Sequence, residues 1–434
     1  MLLQTILNRV EKHPSFVYAE ARFADSADSA DSTGADSTGG DSAGGDSVIE
    51  VLVRERANSR PICSGCGQRR PGYDRLPQRR YQFVPLWAIS VFLLYAPRRV
   101  NCSACGVKVE RVPWADGKSR ITTSYQRFLA NWAKRLSWQE VADVFRTSWQ
   151  TVYRSVEKVV AWGLAHRNLD NIEAIGVDEI QWQRGHHYLT LVYQIDNGCR
   201  RLLHIAENRT AKSLLSFFRM LGPARSAALK FVCSDMWKPY LKVIAKKAAA
   251  ALHVLDRFHI MSAMNKAIDE VRAAEAKRLK QDGYEHILKH SRWCFLKRRE
   301  NLTDKQTVKL SELLKYNLQT VRAYLLREEF QRFWQYRSPL WAARFLWEWL
   351  GRAKRSRIEP MKKVARMLER HGELLMNWFL AKGTISAGIV EGLNYNVKLT
   401  MRKAYGFRTA NALKTALYHR LGALPEPEFA HRFW

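Results

Sequence analysis

Three short apolar segments, each carrying an aspartate, constrain the fold of this chain more than any other feature. Asp178 lies inside the first segment, and Asp235 and Asp256 end the other two. Apolar runs of this length are typical of buried strands, where an unpaired carboxylate is costly. Each acid therefore needs a partner or a metal ion. The three segments are 174–180, 229–235 and 252–256.

Two more predicted strands and two helices complete the pattern. The apolar segments 187–195 and 200–206 are joined by Asp-Asn-Gly, a strong hairpin-turn sequence. The order strand-strand-strand-helix-strand-helix-strand predicts a mixed sheet of the ribonuclease-H type. Acids at the strand ends of such sheets lie where ligands usually bind. Clustered carboxylates there suit two Mg²⁺ (or Mn²⁺) ions about 4 Å apart, which hold the reacting oxygens of a phosphodiester in line.

Two C-x-x-C pairs predict a second kind of metal site. They are formed by Cys63 and Cys66, and by Cys102 and Cys105, and each is followed by glycine. Four thiolates on two tight turns make a closed tetrahedral site for structural Zn²⁺, with no position open for catalysis. The spacing therefore predicts a zinc ribbon. Four unrelated core cysteines are the alternative.

Two consecutive capping boxes, which begin at Ser137 and Thr147, predict a pair of helices joined by a short turn. On the second helix Gln150, Thr151 and Arg154 face outward, where a recognition helix presents groups to DNA. An ordinary helical hairpin is the alternative. The neighbouring zinc ribbon and the basic chain favour a helix-turn-helix that binds DNA.

The charge balance favours a polyanionic partner. Lys and Arg number 71 against 41 acidic residues, a formal net charge of +30. A basic protein gains affinity for DNA by releasing its condensed counterions. A basic solvated surface or an anionic membrane surface are the alternatives. No apolar run is long enough for a membrane helix and no signal peptide is evident, so we expect a cytoplasmic, nucleoid-associated protein.

A basic segment near residue 400 carries one more candidate acid. Residues 386–402 read as a helix on which Glu391, Asn394, Lys398 and Arg402 share one face. An acid above two cations suits a surface that contacts metal and phosphate. Spacing alone favours a solvated charge stripe instead.

Taken together, several segments resemble the ISL3 family of bacterial insertion-sequence transposases, of the DDE class. The resemblance runs over nearly the whole chain, although the Asp/Ser/Gly tract at 24–47 departs from the family pattern. It implies that Asp178, Asp235 and Glu391 are the metal-binding triad, and that the helical stretch before Glu391 is an insertion. The segments are Ile175-Gly-Val-Asp-Glu179, Cys233-Ser-Asp-Met-Trp-Lys-Pro-Tyr240, Asp256-Arg-Phe-His259, Val390-Glu-Gly-Leu-Asn394 and Arg402-Lys-Ala-Tyr-Gly-Phe407.

The expected protein is thus a transposase, acting as a homodimer or larger complex on double-stranded DNA. It would bind the terminal inverted repeats of an insertion sequence, cleave there, and transfer the 3′-OH ends into target DNA. Asp256 and His259 are possible auxiliary groups, or structural ones. A catalytically inactive DNA-binding regulator and a structure-specific nuclease are the alternatives.

The predicted architecture is a multidomain α/β protein: a ribonuclease-H-like mixed sheet with a large all-helical insertion, preceded by a zinc ribbon and a helix-turn-helix. The predicted domains are an N-terminal β segment at 1–60 with a disordered tract at 24–47, the zinc ribbon at 61–115, the helix-turn-helix at 120–170, the catalytic core at 172–260, the helical insertion at 261–382, and the final helices of the core at 383–434.

Overall fold

The structure, a computed structural model, describes residues 2–25, 47–284, 286–381 and 387–427. The chain divides into two compact units. One comprises Met1–Arg167 and Thr400–Trp434, and the other Asn168–Leu399. Within the described ranges, no helix combines the length and the apolar character needed to cross a membrane.

Unit 1 begins with seven strands and four helices. The strands form a four-stranded sheet and a three-stranded sheet. The strands are β1 (Phe16–Asp25), β2 (Ser47–Glu55), β3 (Gly72–Arg75), β4 (Arg79–Leu86), β5 (Ile89–Tyr95), β6 (Arg98–Cys102) and β7 (Gly106–Val109). The helices are α1 (Leu3–Val10), α2 (Thr123–Ala133), α3 (Trp138–Val144) and α4 (Trp149–His166).

The larger sheet has the order β1-β2-β5-β4, and the smaller one the order β3-β6-β7. β1 and β2 form an antiparallel hairpin that closes at the pair Asp25 and Ser47. Of the tract predicted to be disordered, residues 26–46 lie outside the described residues. β5 pairs in parallel with β2, and the paired residues Val51 and Leu93 are both fully buried. Residues 79–95 therefore extend the N-terminal sheet. Strands from both sides of the predicted domain boundary at residue 60 belong to this one sheet.

Helices α3 and α4 occupy the positions predicted for the helix-turn-helix. Ser137 and Glu140 form the expected capping box at the start of α3. The second helix begins one residue later than predicted, because the hydroxyl of Ser148, rather than that of Thr147, accepts the backbone N–H of Thr151.

Unit 2 is built around a five-stranded sheet of order β10-β9-β8-β11-β12. β10, β9 and β8 are antiparallel neighbours, and β8, β11 and β12 run parallel. Helices α5 and α7 pack on the sheet through buried side chains such as Phe217 and Ile244. These elements are β8 (Ala174–Gln183), β9 (His187–Asp196), β10 (Cys199–Glu207), α5 (Ala211–Leu221), α6 (Pro223–Ala227), β11 (Phe231–Ser234), α7 (Lys238–Lys247) and β12 (Leu252–Leu255).

A large helical segment follows β12 and has its own apolar core. Phe330, Phe333 and Trp349 are fully buried in this core, whereas Trp341 and Trp347 are exposed. Its helices are α8 (Arg257–Gln281), α9 (Arg292–Leu296), α10 (Asp304–Leu313), α11 (Gln319–Gln331), α12 (Pro339–Arg355), α13 (Glu359–Arg370) and α14 (Gly372–Leu380), with short 3-10 turns at Arg299–Asn301 and Arg332–Gln335.

The last two helices are α15 (Ala387–Lys403) and α16 (Ala410–Leu421). Most of α15 belongs to unit 2, but α16 belongs to unit 1. There α16 packs on α4, and a Cβ added to Gly163 of α4 would lie 2.7 Å from Cβ of Leu424. The prediction that residues 383–434 all complete the catalytic core therefore does not match the structure, because the buried face of α16 covers the second helix of the helix-turn-helix.

Candidate active site

Three parallel strands bring predicted acids to one edge of the sheet in unit 2. Asp235 and Asp256 directly follow β11 and β12, whereas Asp178 lies inside β8. Cys233 is opposite Gly176 in the register of β11 and β8. Two residues further along both strands, Asp235 comes to lie beside Asp178. The carboxyl ends of these strands thus form an acidic edge.

Helix α15 adds Glu391 to this edge. A Cβ at Gly176 would lie 2.5 Å from Cγ2 of Val390, so only glycine lets α15 lie this close to β8. Glu391 follows Val390 in the helix. Burial raises the pKa of Asp256 to about 6, and the charges of Asp178 and Glu391 act in the same direction. Asp178 and Glu391 therefore both lie near enough to Asp256 to act on its charge, although Glu391 is exposed.

Asn394 fastens the same helix to Asp178. Its Nδ2 donates a hydrogen bond to Oδ2 of Asp178, and its Oδ1 accepts one from the hydroxyl of Tyr193 at 2.7 Å. Asn394 is 8% exposed, whereas Lys398 and Arg402 are exposed to solvent. The structure does not place Asn394 on a DNA-facing surface with these two cations, because α15 turns it towards β8 and β9. Its contacts are those of a residue that positions Asp178.

His259, in the first turn of α8, lies between two of the aspartates. Its Nε2 is 3.6 Å from Oδ1 of Asp178 and 3.8 Å from Oδ2 of Asp256. The nearby carboxylate of Asp178 raises the pKa of His259 to about 9 in spite of its burial, and the charges of Asp256 and Asp235 act in the same direction. The imidazole is therefore a cation at neutral pH. Asp256 also caps α8, where its carboxylate accepts the backbone N–H of Phe258 at 2.7 Å.

Arg209 holds a second pair of acids. Its Nε lies 2.6 Å from Oε1 of Glu179, and its Nη2 donates to Oδ2 of Asp235. The guanidinium also covers the ring of Trp237, 4.9 Å from the ring centroid. Burial and the charge of Asp235 raise the pKa of Glu179 to about 7, and Arg209 opposes this shift. Although strand alternation points Glu179 away from Asp178, Arg209 links it to the acidic edge.

The acidic edge has donors that suit a hard divalent cation. Such ions prefer carboxylate oxygens, and a cluster of buried carboxylates needs neutralising charge. Arg209, His259 and the amide of Asn394 now occupy carboxylate oxygens there. Among the described residues, however, the acids do not form a group whose ligand atoms all lie within 4.8 Å of one another. The edge fits a metal ion by its chemistry, and its present partners are two cationic side chains and one amide.

The four cysteines of the C-x-x-C pairs do form such a group. One ligand atom from each of the four lies within 4.8 Å of all the others. The Sγ atoms of Cys66 and Cys102 are 3.6 Å apart, close to the roughly 3.8 Å expected for two thiolates of a tetrahedral zinc site. Burial acts to raise the pKa of Cys102, but hydrogen bonds from the backbone of Ala104 and Cys105 outweigh it and lower this pKa to about 6. This shift favours the thiolate, the form that binds zinc, at Cys102, whereas burial and the neighbouring Cys102 and Cys66 raise the pKa of Cys105.

The candidate recognition helix α4 presents a mixed surface. Gln150 and Arg154 are exposed, and so is Trp149. Thr151 is half-buried, and its hydroxyl lies 2.9 Å from that of Ser148, with which it shares a hydrogen bond. Two of the three predicted contact residues therefore face solvent fully.

Sequence reasoning missed the groups that hold the acids in place. Arg209 contacts Asp235, and Tyr193 contacts Asn394. In both pairs the partners are distant in the sequence. One signal was present for Arg209. It follows β10, which runs parallel to β8, and it therefore emerges at the same edge of the sheet as the acids.

Comparisons with known proteins identify the family to which the chain is similar. A family model described as transposase matches residues 175–417, and one described as the helix-turn-helix domain of transposase family ISL3 matches residues 110–160. The transposase for insertion sequence element IS1001 of Bordetella parapertussis is 31% identical over 80% of this chain and 85% of its own length. The transposase for IS1557 of Mycobacterium tuberculosis is 29% identical over 84% of this chain and 86% of its own.

Proposed function

This chain belongs to the ISL3 family of transposases, and from that premise we propose that it binds the ends of an insertion sequence, cleaves the DNA there and transfers the 3′-OH ends into target DNA. The observation that carries the proposal is the acidic edge, where Asp178 and Asp235 lie side by side on two parallel strands and the helix that bears Glu391 packs against β8. Clustered carboxylates of this kind suit metal-assisted phosphoryl transfer.

The sheet supports a ribonuclease-H-like fold for the catalytic part. Its order, β10-β9-β8-β11-β12, combines an antiparallel half with a parallel half, as the predicted mixed sheet requires. The helices α8 to α14 would then be an insertion between β12 and the helix that carries Glu391.

Asp178, Asp235 and Glu391 would hold divalent cations, Mg²⁺ or Mn²⁺. When bound, such a pair supplies an activated water and neutralises charge on the attacking and leaving oxygens. The protein's own contribution is positioning. Asn394 orients Asp178, and Arg209 and His259 place positive charge beside the carboxylates. The four cysteines would hold one structural Zn²⁺ in unit 1.

Helix α4 would make the main contacts with the DNA at the ends of the insertion sequence. Gln150, Thr151 and Arg154 lie near its N-terminus, where a recognition helix meets base edges. Lys398 and Arg402 of α15 are exposed cations suited to phosphate contacts. A homodimer or larger complex is expected, because two ends must be joined to one target.

The test uses linear DNA that carries both flanks of the protein's own gene, incubated with Mg²⁺ or with a chelator. The wild-type protein should nick at the ends and join them to a second DNA only with the metal. Asp235→Asn should lower cleavage by at least about 10³-fold, because several kcal/mol of transition-state stabilisation are lost, and should still bind the ends. Asp170→Asn, which removes an exposed acid paired with Arg225 in the same unit, is the matched control.

The outcomes separate the rival functions. A wild-type protein that binds the ends but never cleaves them would be a regulator. Cleavage of branched DNA without joined products would indicate a structure-specific nuclease. Full cleavage by Asp235→Asn would refute the assignment of the acidic edge.

A further inference from the structure

A basic groove lies between α5 and α7 of unit 2. Its volume is about 560 Å³, and Leu215, Pro239 and Val243 form apolar parts of its wall. Five exposed cations line it, and no carboxylate does. These cations, which together define the α5–α7 groove, are Arg219, Lys238, Lys242, Lys246 and Lys247.

The five cations have no acidic partner within the described part of the chain. Neighbouring cations of the same unit behave differently. Arg225 pairs with Asp170, and Lys230 pairs with Glu173. Like charges four residues apart on a helix are mutually destabilising. The groove therefore keeps an unneutralised charge that an anionic partner would relieve.

The lysines of α7 form a straight row. Lys238, Lys242 and Lys246 are four residues apart, so they share one face of the helix. Eight residues at 1.5 Å each give a row about 12 Å long. One strand of B-DNA places a phosphate every ~3.4 Å along the helix axis, so the row spans about three or four phosphates.

Both walls of the groove begin at the acidic edge. α5 starts two residues after Arg209, and α7 starts three residues after Asp235. Arg209 and Asp235 are in direct contact, so the two helix starts are held together at the acids. A DNA strand that leaves the acidic edge along the groove would meet Lys238 first and Lys246 later.

We propose that the α5–α7 groove binds the sugar–phosphate backbone of target DNA beside the reacting phosphate, an inference that rests on the proposed function. Four of its five cations are lysines, which act as point charges and carry no bidentate reading of bases. The ends of an element have a defined sequence, for which α4 presents Gln150 and Arg154. A surface that reads only phosphates suits the DNA whose sequence is not specified, which is the target.

The first test measures binding of a duplex that lacks the ends. Lys242→Gln combined with Lys246→Gln removes two charges from exposed positions. The slope of log K against log salt should become shallower by about 1.8, from about 0.9 for each phosphate contact. The affinity gap to wild type should then widen about 12-fold when salt falls from 200 to 50 mM. Lys277→Gln with Lys305→Gln, two exposed lysines of α8 and α10, is the matched control and should leave the slope unchanged.

The second test measures the fraction of cleaved ends that become joined to target DNA. In the Lys242→Gln, Lys246→Gln variant this fraction should fall about tenfold at limiting target and recover as target DNA is raised. The charge-conserving variant, Lys242→Arg with Lys246→Arg, should join like wild type.

Three results would overturn the proposal. One is an unchanged joined fraction and salt slope in the glutamine variant. Another is a loss of cleavage with a constant joined fraction, which would assign the groove to the DNA flanking the ends. The third is a loss that the arginine variant does not restore, which would indicate a structural effect. If the wild-type protein neither cleaves nor joins, the proposed function fails, whereas the duplex-binding test still reports on the groove.

Discussion

Gly176 determines how closely the helix of Glu391 approaches the strand of Asp178, and Gly176→Ala tests this contact. The added Cβ would lie 2.5 Å from Cγ2 of Val390. Carbon atoms in ordinary contact are about 3.5–4.0 Å apart, so α15 must move away from β8 by about 1–1.5 Å. Overpacking of this kind costs about 1–3 kcal/mol, which lowers the melting temperature of a unit of this size by about 2–12 °C.

The effect on cleavage should exceed the effect on folding. A displacement of about 1 Å at a reacting centre lowers rates by about 100-fold, and the shift moves Glu391 away from Asp178. Val390→Ala removes the methyl that Gly176→Ala would meet and by itself costs about 1.6 kcal/mol for two buried methyl groups. In the double variant the contact is relieved, so its loss of stability should be smaller than the sum of the single losses by at least about 1 kcal/mol.

The assay combines thermal unfolding of the four proteins with cleavage of end-bearing DNA in Mg²⁺. Gly372→Ala is the control, because a Cβ at this first residue of α14 meets no atom within 4 Å. It should unfold and cleave like wild type. The reasoning would be refuted if Gly176→Ala kept wild-type stability and cleavage, or if the losses of the single variants were simply additive.

Three further predictions concern stability and metal content. Glu275 is buried and accepts hydrogen bonds from Gln319 N, Thr320 N and Thr320 Oγ1. Glu275→Ala should therefore lower the free energy of unfolding in urea by about 2–4 kcal/mol, and Glu275→Gln should lower it less. Equal losses in the two variants would contradict this role. Cys102→Ser, or treatment with a strong chelator, should remove one zinc per chain, measured by elemental analysis, and should lower the melting temperature of unit 1. A wild-type protein that contains no zinc would refute the site. Burial lowers the pKa of His419 to about 3 from an ordinary 6.5, so below pH 6.5 the unfolded state takes up a proton that the folded state does not. The contribution of His419 to stability should therefore be fully present above pH 6.5 and fall by up to about 1.4 kcal/mol for each pH unit below it, and His419→Gln should remove this part of the fall in a pH series of melting curves.

The acids differed in how far sequence could predict them. Asp178, Asp235 and Asp256 were predicted from local patterns, because a carboxylate in or after an apolar strand is informative by itself. Glu391 was not, since its helical spacing also suits a solvated stripe and only the family resemblance singled it out. Asn394 lies on the same helix, and periodicity grouped it with the exposed cations. Its burial depends on the position of β8 and β9, which no local pattern contains.

The same limit applies to the strands of unit 1. The sequence predicted an N-terminal β segment on both sides of the low-complexity tract, because both flanks look like strands. It did not predict that β5 pairs in parallel with β2 across the first C-x-x-C pair. Alternating burial predicts that a strand exists, but the partner of a strand depends on side chains that are far away in the chain.

The packing of α16 on α4 has a consequence for the order in which the protein is made. Leu413 and Leu417 of α16 are fully buried, and Leu424 lies beside Gly163 of α4. While a ribosome is still translating the codons before position 400, helices α3 and α4 lack this part of their core. A newly made chain would therefore complete the core around α4 only after the codons for Asp178, Asp235 and Glu391 have all been translated.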